Sequence, residues 1–512
     1  MKRFLYVFLT LLAMTSSKAY AFNIDAFMDE KIAPVSDKIA NWVFFPINIF
    51  GSDVPIIVLW ILFAGIFFTF YLRGIAVWGF GHALHVLSKP QKSKDGFGEV
   101  SSFQALMTAL SGTIGMGSIA GVAIAISMGG PGAAFWVIVG SIFGMSLKFV
   151  EAGLAVKYRR FNPDDTVSGG PMHYIAHGLT RKGMRWLGQP LAVLFSILCI
   201  GGAITGGNMI QINQAANQFI NVTGGNTGST SSMHWVIGTL MAILVGLITI
   251  GGIKSIVKVT EKIVPLKILI YFFSALAVVI FNIHHLPHAC YVIVKEAFQP
   301  QAVYGGAFVA MIMGLRRSVQ CNEAGTGSAP IAYATVKTDE PLSQGFVSLL
   351  EPFMTGLMCT LTAVAIIITD TYQHYIGQTQ GVEMTSEALS SVMPFFPKIL
   401  ACIVLLYALS TLICWAYYGQ KCWNYLIGEG KKRSIIFQLI YCGFVIIGSV
   451  LNVTSVINIT DAMMLSMAIP NVIAMYILAP EVKKDLVKYC IKHNIALKFN
   501  KCWVDKYNKE NE

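Results

Sequence analysis

Residues 320–328 read Gln320-Cys321-Asn322-Glu323-Ala324-Gly325-Thr326-Gly327-Ser328 and interrupt an apolar segment over 304–336. Residues 111–118 read Ser111-Gly112-Thr113-Ile114-Gly115-Met116-Gly117-Ser118 and interrupt a second apolar segment, over 102–128. Lipid cannot satisfy free backbone N–H and C=O groups, so unwound helix at membrane depth is tolerated only where it faces protein or a water-filled cavity. The two interruptions therefore predict a pair of broken helices around a central site, a feature typical of transporters. The alternative is that the glycines only let helices pack closely.

The composition is that of a membrane protein. The 512-residue chain is 55% hydrophobic and 12% charged, whereas a soluble domain carries about 25% charged residues. This excludes an ordinary soluble globular protein. The net charge of +11 comes from short basic clusters between apolar segments, where lipid head groups explain it better than nucleic acid does. We therefore expect a lipid bilayer, and no nucleic acid, as a partner.

Apolar segments long enough to cross a bilayer recur along the chain. Eleven are found, over 54–76, 102–128, 132–156, 190–220, 234–252, 262–283, 304–336, 345–369, 394–420, 434–452 and 456–479. The two interrupted segments are the second and the seventh, so five segments are counted from one to the other. This spacing predicts an all-α polytopic membrane protein with an internal repeat of five helices plus five.

The amino terminus has the layout of a secretory signal peptide. Lys2 and Arg3 precede an apolar run over 4–14, and Ala19-Tyr20-Ala21 offers a small-residue cleavage site. We expect a signal peptide over 1–21 that is cleaved after Ala21. The alternative is an uncleaved anchor, for which the apolar run is short.

The charges of the loops predict the orientation of the chain. Loops 221–233 and 370–387 contain no Lys or Arg, whereas the loops on the opposite side and the final polar tail carry basic clusters. Basic residues are typical of cytoplasmic loops, and cleavage of the signal peptide leaves the mature amino terminus outside. We therefore expect a multi-pass protein of the bacterial inner membrane with a cytoplasmic carboxyl terminus.

A series of motifs along the mature chain resembles a known family. The motifs are Gly129-Gly130-Pro131-Gly132-Ala133-Ala134-Phe135-Trp136, Lys148-Phe149-Val150-Glu151, Gly169-Gly170-Pro171-Met172, Gly207-Asn208-Met209, Asn322-Glu323-Ala324-Gly325, Gly327-Ser328-Ala329-Pro330, Tyr417-Tyr418-Gly419 and Ala468-Ile469-Pro470-Asn471. They occur in the same order as in the alanine/glycine:cation symporters, also called sodium:alanine symporters, and the chain resembles that family over nearly its whole mature length.

The resemblance implies a LeuT-like five-plus-five inverted-repeat transporter fold with one extra N-terminal helix, or about 11 transmembrane helices. It implies a secondary active transporter, not an enzyme, that imports a small neutral amino acid such as alanine or glycine by symport with Na⁺ and alternating access. Na⁺ is then the coupling ion, and no other cofactor is expected. The oligomeric state stays open.

The resemblance and the span count divide the chain into five parts. They are 1–21, the signal peptide; 22–100, a periplasmic N-terminal segment, the first transmembrane helix and a basic loop; 101–285, the first five-helix repeat; 286–480, the second five-helix repeat; and 481–512, a cytoplasmic tail.

A zwitterionic substrate needs a positive end for its carboxylate and acceptors for its ammonium. The half-helix that follows a break supplies the first through its free N–H groups and its dipole. The predicted substrate residues are Gly115, Met116, Gly117, Ser118, Asn322 and Gly325 at the breaks, Asn208 and Gln211 on the fourth segment and, by the family resemblance, Trp415. The alternatives are interhelical hydrogen bonds for the two amides and a core or interfacial position for the tryptophan.

Sodium is bound by hard oxygen ligands, about five or six of them, by the logic that governs calcium sites. Ser410 and Thr411 resemble the hydroxyl pair that binds Na⁺ in this fold. By the same resemblance, the carbonyls of Ser111, Ile114 and Tyr407 complete the set of ligands. The alternative is that the two hydroxyls bond carbonyls of their own helix, as Ser and Thr commonly do in membranes.

Ionisable residues inside predicted spans need partners or a function. The acids among them are Glu151, Glu323, Glu351 and Asp461. Lys148 and Glu151 lie three residues apart on one helix face and can neutralise each other. Arg316 and Arg317 are expected in a vestibule or paired with an acid.

Several residues near the predicted site depart from the usual family pattern. They are Met116, Ser118, Gln320, Cys321, Thr355, Met464 and Leu465. Alanine is the first expected substrate, with glycine and serine next. Two other classes stay open: a proton-coupled or exchange-type amino-acid transporter, in which a buried Glu323 or Glu351 would carry H⁺, and, with less support, a membrane-embedded enzyme.

Overall fold

The computed structural model describes residues 33–49, 52–89, 98–163, 166–224, 232–299, 307–378, 381–451 and 453–495. The predicted signal peptide lies outside the described residues, as does the end of the predicted tail from residue 496 onward.

The described structure is almost entirely helical. The helices of the first half are α1 (Ala33–Val43), α2 (Ile56–Tyr71), α3 (Ile75–Trp78), α4 (Phe80–Ser88), α5 (Ser102–Thr113), α6 (Ala120–Gly129), α7 (Gly132–Lys157), α8 (Pro171–Arg181), α9 (Arg185–Ile204), α10 (Ile210–Thr223), α11 (Ser232–Thr249) and α12 (Gly252–Phe281). A π-helical turn, Thr205–Met209, joins α9 to α10. Two antiparallel hairpins are formed by β1 (Pro46–Ile49) with β2 (Ser52–Pro55) and by β3 (Arg160–Phe161) with β4 (Val167–Ser168).

The second half continues in the same way. Its helices are α13 (Leu286–Phe298), α14 (Ala307–Asn322), α15 (Pro330–Tyr333), α16 (Pro341–Ser348), α17 (Leu350–Ile368), α18 (Gly381–Ser390), α19 (Phe396–Ile427), α20 (Lys431–Val450), α21 (Val453–Ser466) and α22 (Ala468–Lys492). Short 3₁₀ turns lie at Ile283–His285 and Thr371–Tyr375.

The first predicted break is present between α5 and α6. A capping box begins α5: the side chain of Ser101 accepts from the backbone N–H of Gln104, and the side chain of Gln104 accepts from the backbone N–H of Ser101. The helix ends at Thr113, a 3₁₀ turn follows at Met116–Ser118, and regular helix resumes in α6. The glycine-rich stretch therefore interrupts the helix, as predicted.

The second predicted break is longer and separates α14 from α15. Within it, Glu323, Gly325 and Gly327 have φ values of 52°, 86° and 84°. Glycine adopts such values readily, whereas a residue with a side chain adopts them only where its surroundings fix it. The left-handed backbone at these positions prevents α14 from continuing beyond Asn322.

Helical segments lie at each of the eleven predicted places, although they differ in length. Seven described helices are long and apolar enough to cross a membrane. Three shorter apolar helices, Ile56–Tyr71, Ala120–Gly129 and Met233–Thr249, accompany them. The polytopic all-α class is confirmed, and the count of eleven crossings stays a prediction.

The two predicted repeats pack closely against each other around α7. This helix contacts α14, α16 and α17 of the second repeat. At Gly140 an added Cβ would lie 2.5 Å from Ser318 Oγ of α14, so a side chain there would separate the two helices. Small residues permit such close packing, which supplies much of the stability of helix bundles in lipid.

Candidate substrate and cation site

A cavity lies between the two helix breaks. Its walls come from α5, α6, the π-helical turn, α10, α14, α19 and α21. The lining residues are Gly112, Thr113, Gly115, Met116, Gly117, Ala120, Gly121, Ile124, Gly206, Ile210, Gln211, Gln214, Arg317, Gln320, Glu323, Trp415 and Met464. Five of the predicted substrate residues therefore line one cavity: Gly115, Met116, Gly117, Gln211 and Trp415.

Gln211 binds the backbone at the first break. Its Oε1 accepts from the backbone N–H of Met116 at 3.0 Å, and its Nε2 donates to the carbonyl oxygen of Gly206 at 2.9 Å. Gly206 lies in the π-helical turn, and such a turn alters the regular carbonyl pairing of the helix. The amide oxygen of Gln211 thus occupies the N–H position at which the substrate carboxylate is expected.

Glu323 gives the cavity a buried carboxyl group. Its Oε1 accepts from Trp415 Nε1 at 3.2 Å, and its Oε2 accepts from the hydroxyl of Ser328. A carboxylate at this place is an acceptor for a substrate ammonium. The sequence identified Glu323 as an ionisable residue that needs a function but did not place it among the substrate residues.

A cationic group lies on another side of the cavity. Arg317 Nη1 is 3.1 Å from Asp461 Oδ1, and Arg316 Nη2 is 3.0 Å from Asp461 Oδ2. Both arginines are therefore paired with an acid, which is one of the two positions expected for them. Arg317 also donates to the side chain of Gln320. Both ends of a zwitterion thus have a charged group in or near the cavity wall.

Four other predicted substrate residues lie outside this cavity. Asn208 donates to the carbonyl of Tyr441 at 2.9 Å, the interhelical bond that was its alternative. Asn322 donates to Ser318 Oγ at 3.2 Å and accepts from the N–H of Ala324 at 2.9 Å. The remaining two are Gly325, whose carbonyl accepts from Asn471, and Ser118, whose carbonyl accepts from Thr362. These four residues shape the breaks and connect helices.

The five predicted sodium ligands come together where α19 passes the first break. Thr411 Oγ1 donates to the carbonyl of Ser111 at 3.0 Å, and Ser111 Oγ donates to the carbonyl of Ser410 at 2.6 Å. Ser410 Oγ donates to the carbonyl of Tyr407, three residues earlier on its own helix, at 2.9 Å. The alternative stated for the hydroxyls therefore holds for Ser410, whereas Thr411 bonds across to α5.

Lys267 of α12 reaches into this cluster, which sequence reasoning missed. Its Nζ donates to the carbonyl oxygen of Ile114 at 2.6 Å and to Ser410 Oγ at 2.5 Å. The side chain is fully buried. The only signal in the sequence was a lysine inside the predicted span 262–283, a costly residue in lipid. A Na⁺ ion on the same oxygens would touch a fixed positive charge, so the residues do not fit Na⁺ at this position while the ammonium lies there.

Lys148 and Glu151 do not form a direct ion pair with each other. Lys148 Nζ lies 3.0 Å from Glu351 Oε1, and Glu151 accepts from Asn471 Nδ2 at 2.7 Å. Glu351 also accepts from the hydroxyl of Tyr333 at 2.7 Å. Both carboxylates find partners on other helices because the fold brings those helices within reach of α7, which spacing along one helix cannot reveal.

The fold and this cavity define a membrane transporter with its site between two broken helices. The sequence model of the sodium:alanine symporter family matches residues 37–500. The sodium/alanine symporter AgcS of Methanococcus maripaludis is 36% identical over 429 residues, which are 83% of this chain and 92% of AgcS. The probable sodium/glutamine symporter GlnT of Bacillus subtilis is 34% identical over 437 residues, 85% of this chain and 87% of GlnT.

The chain belongs to the sodium:alanine symporter family. Among solved structures, MhsT in complex with L-phenylalanine superimposes with a TM-score of 0.53 at 13% identity, covering 73% of this chain and 88% of MhsT. This similarity confirms the LeuT-like fold. The protein is therefore a multi-pass transporter and not an enzyme; family membership supports sodium-coupled amino-acid symport, and the fold supports alternating access.

Proposed function

We propose that the protein imports a small neutral amino acid, with alanine first and glycine and serine next, together with Na⁺. The relatives named as sodium/alanine and probable sodium/glutamine symporters support this choice of substrate class and ion. The observation that carries the proposal is the cavity between the two breaks, because it presents a buried carboxyl group and a helix-break N–H to the same space.

In this proposal the substrate carboxylate replaces Gln211 Oε1 at the N–H of Met116, which lies at the start of a half-helix. The substrate ammonium meets the carboxylate of Glu323 and carbonyls near the breaks. Trp415 and Met464 narrow the remaining space, which favours a small side chain.

Uptake into proteoliposomes tests the proposal directly. Labelled alanine is offered under an inward Na⁺ gradient, an inward K⁺ gradient and a pH gradient. Accumulation driven by Na⁺ and competed by glycine or serine is expected. Glutamine is tested as a further competitor because the relative GlnT is named a probable sodium/glutamine symporter. Uptake driven by the pH gradient alone would instead select the proton-coupled class, and absence of alanine transport by folded protein would contradict the substrate.

Trp415→Phe tests the role of the cavity in binding. The change removes the indole N–H that donates to Glu323 at 3.2 Å and leaves a buried acceptor without its donor. We expect the KM for alanine to rise about tenfold, since such a loss costs about 1–3 kcal/mol. Trp186→Phe, at a tryptophan that is 74% exposed, is the matched control. Equal KM values for the two variants would contradict the placement of the substrate.

We also propose that the protein resides in the bacterial inner membrane with its carboxyl terminus in the cytoplasm. The asymmetry of basic residues between the loops supports this orientation. A reporter that is active only in the cytoplasm, fused after Glu512, is expected to be active, and a periplasmic reporter at the same point is expected to be silent. The reverse pattern would overturn the orientation.

A further inference from the structure

Lys267 brings a positive charge to the position that the family resemblance assigns to Na⁺. Its ammonium donates to two of the five predicted ligands, the carbonyl oxygen of Ile114 at 2.6 Å and Ser410 Oγ at 2.5 Å. The carbonyl of Ile114 became available because α5 ends one residue earlier, at Thr113. A free carbonyl in a membrane interior requires a partner, and here the partner is a lysine.

We propose that the Lys267 ammonium is a tethered cation that takes the place of Na⁺ between α5 and α19. The inference rests on the proposed function and names the cation of one position in it. An ammonium and a sodium ion carry the same charge, and both are satisfied by carbonyl and hydroxyl oxygens. The lysine is attached to α12, however, so it stays with the protein when substrate crosses. Any Na⁺ that drives uptake then binds at another position.

The contacts of Lys267 accommodate its one ammonium group and offer no partner for a second cation. In the part of the chain that the structure describes, Lys267 forms no ion pair with a carboxylate. Its compensation comes from the two oxygens and from the ring of Tyr407, whose centroid lies 4.5 Å from Nζ. A further cation on the same oxygens would meet strong repulsion in this dry environment. Occupation by the ammonium and occupation by Na⁺ are therefore mutually exclusive.

The contacts of Lys267 also connect three helices. α12 packs against both α5 and α19. The ammonium bonds the carbonyl oxygen of Ile114, directly after α5, and the hydroxyl of Ser410 in α19. The hydroxyl of Tyr407 in turn donates to the carbonyl of Lys267 at 3.5 Å. Removal of the ammonium is expected to weaken this junction and to open its oxygens to an ion from solution.

Thermal unfolding of the purified full-length protein tests the inference without the need for a substrate. The melting temperature is measured in detergent while NaCl replaces choline chloride at constant ionic strength. Any rise of the wild-type melting temperature in Na⁺ is expected to come from binding at another position and therefore not to depend on Ser410. Lys267→Met is expected to melt lower in choline and to regain about 2 °C or more in Na⁺, because the vacated oxygens bind the ion. Lys262→Met, at an exposed lysine of the same helix, is expected to behave as wild type.

Ser410→Ala keeps the test decisive if Lys267→Met does not fold. The inference expects the Na⁺ response of the melting temperature to be the same in Ser410→Ala as in wild type. A saturable stabilisation of wild type by Na⁺ that Ser410→Ala abolishes would place Na⁺ on Ser410 and overturn the inference, as would folded Lys267→Met without a gain in Na⁺ response. Addition of alanine separates the two proposals. If alanine does not raise the melting temperature of wild type, the proposed function is contradicted. The Na⁺ responses of the Lys267 and Ser410 variants still test the role of Lys267.

Discussion

A buried ion pair joins the two predicted repeats, and its removal gives a quantitative prediction. Lys148 of α7 and Glu351 of α17 are both fully buried, with 3.0 Å between Nζ and Oε1. Tyr333 donates to the other carboxyl oxygen of Glu351 at 2.7 Å. Glu351→Gln preserves an acceptor for Tyr333 and removes the charge, and Lys148→Met removes the ammonium with little change in length.

The expected magnitude follows from the charge that each variant leaves behind. Loss of one partner of a buried pair costs about 3–5 kcal/mol because the remaining charge is uncompensated. Lys148→Met leaves the carboxylate of Glu351 unpaired and Glu151 one turn away, so it is expected at the upper end. Glu351→Gln leaves Lys148 with Glu151 still nearby, so it is expected at the lower end. The double variant leaves no unpaired charge from this pair and is expected close to wild type.

Unfolding of the purified protein by urea or heat in mixed micelles measures these differences as a double-mutant cycle. Lys157→Met is the matched control, since Lys157 lies at the end of the same helix and pairs with Glu481 and Asp485 where the side chains are 20–30% exposed. An exposed pair of this kind is worth about 0–1 kcal/mol. If the double variant loses the sum of the two single losses, Lys148 and Glu351 do not stabilise each other and the reasoning is refuted.

Two further predictions concern the cavity wall and the end of α22. Gly207→Ala places a Cβ 2.2 Å from Trp415 Cγ and must displace the indole, so alanine affinity is expected to fall about tenfold or more, while Gly443→Ala, with open space around it, should leave the Kd unchanged. Burial raises the pKa of the Glu340 carboxyl group. Hydrogen bonds from Lys492, at the end of α22, and from His493 outweigh the effect of burial and lower this pKa below its usual value. Its stabilising effect is therefore present above the unfolded pKa and lost as the pH falls through the lower folded pKa; Glu340→Gln should reduce the loss of melting temperature in that acid range, and an unchanged acid limb would contradict this.

The helices and their two breaks were predictable because their determinants are local in the sequence, whereas the LeuT-like arrangement was implied by the family resemblance. Each spanning helix appears as its own apolar run, and lipid leaves helix as the available structure for it. The two breaks were also predictable, because the glycine and polar residues at 111–118 and 320–328 interrupt apolar segments. The structure ends α5 at Thr113 and α14 at Asn322, within those stretches.

The site was predictable only in part, because its contacts join residues far apart in the chain. Gly115, Met116 and Gly117 of the first break, together with Gln211 and Trp415, line the cavity. Ser118 of the same break does not, and Asn208 bonds the carbonyl of Tyr441 instead. Whether a polar side chain on a spanning helix faces the cavity or a neighbouring helix depends on the rotation of that helix. Rotation is set by packing in three dimensions, and the spacing of one sequence does not determine it.

Lys267 shows why a set of ligands does not by itself identify the ion. Ser111, Ile114, Tyr407 and the hydroxyl pair of α19 came together as the resemblance implied, and on their oxygens alone Na⁺ would be the natural occupant. The charge at that position depends equally on what the neighbouring helix brings, and α12 brings an ammonium within 2.6 Å of the carbonyl freed by the break. The carbonyl groups freed by a helix break at membrane depth require a cation or a hydrogen-bond donor. A side chain of the protein, such as the ammonium of Lys267, can be that partner. The ion requirement of the site then changes although its predicted ligands stay the same.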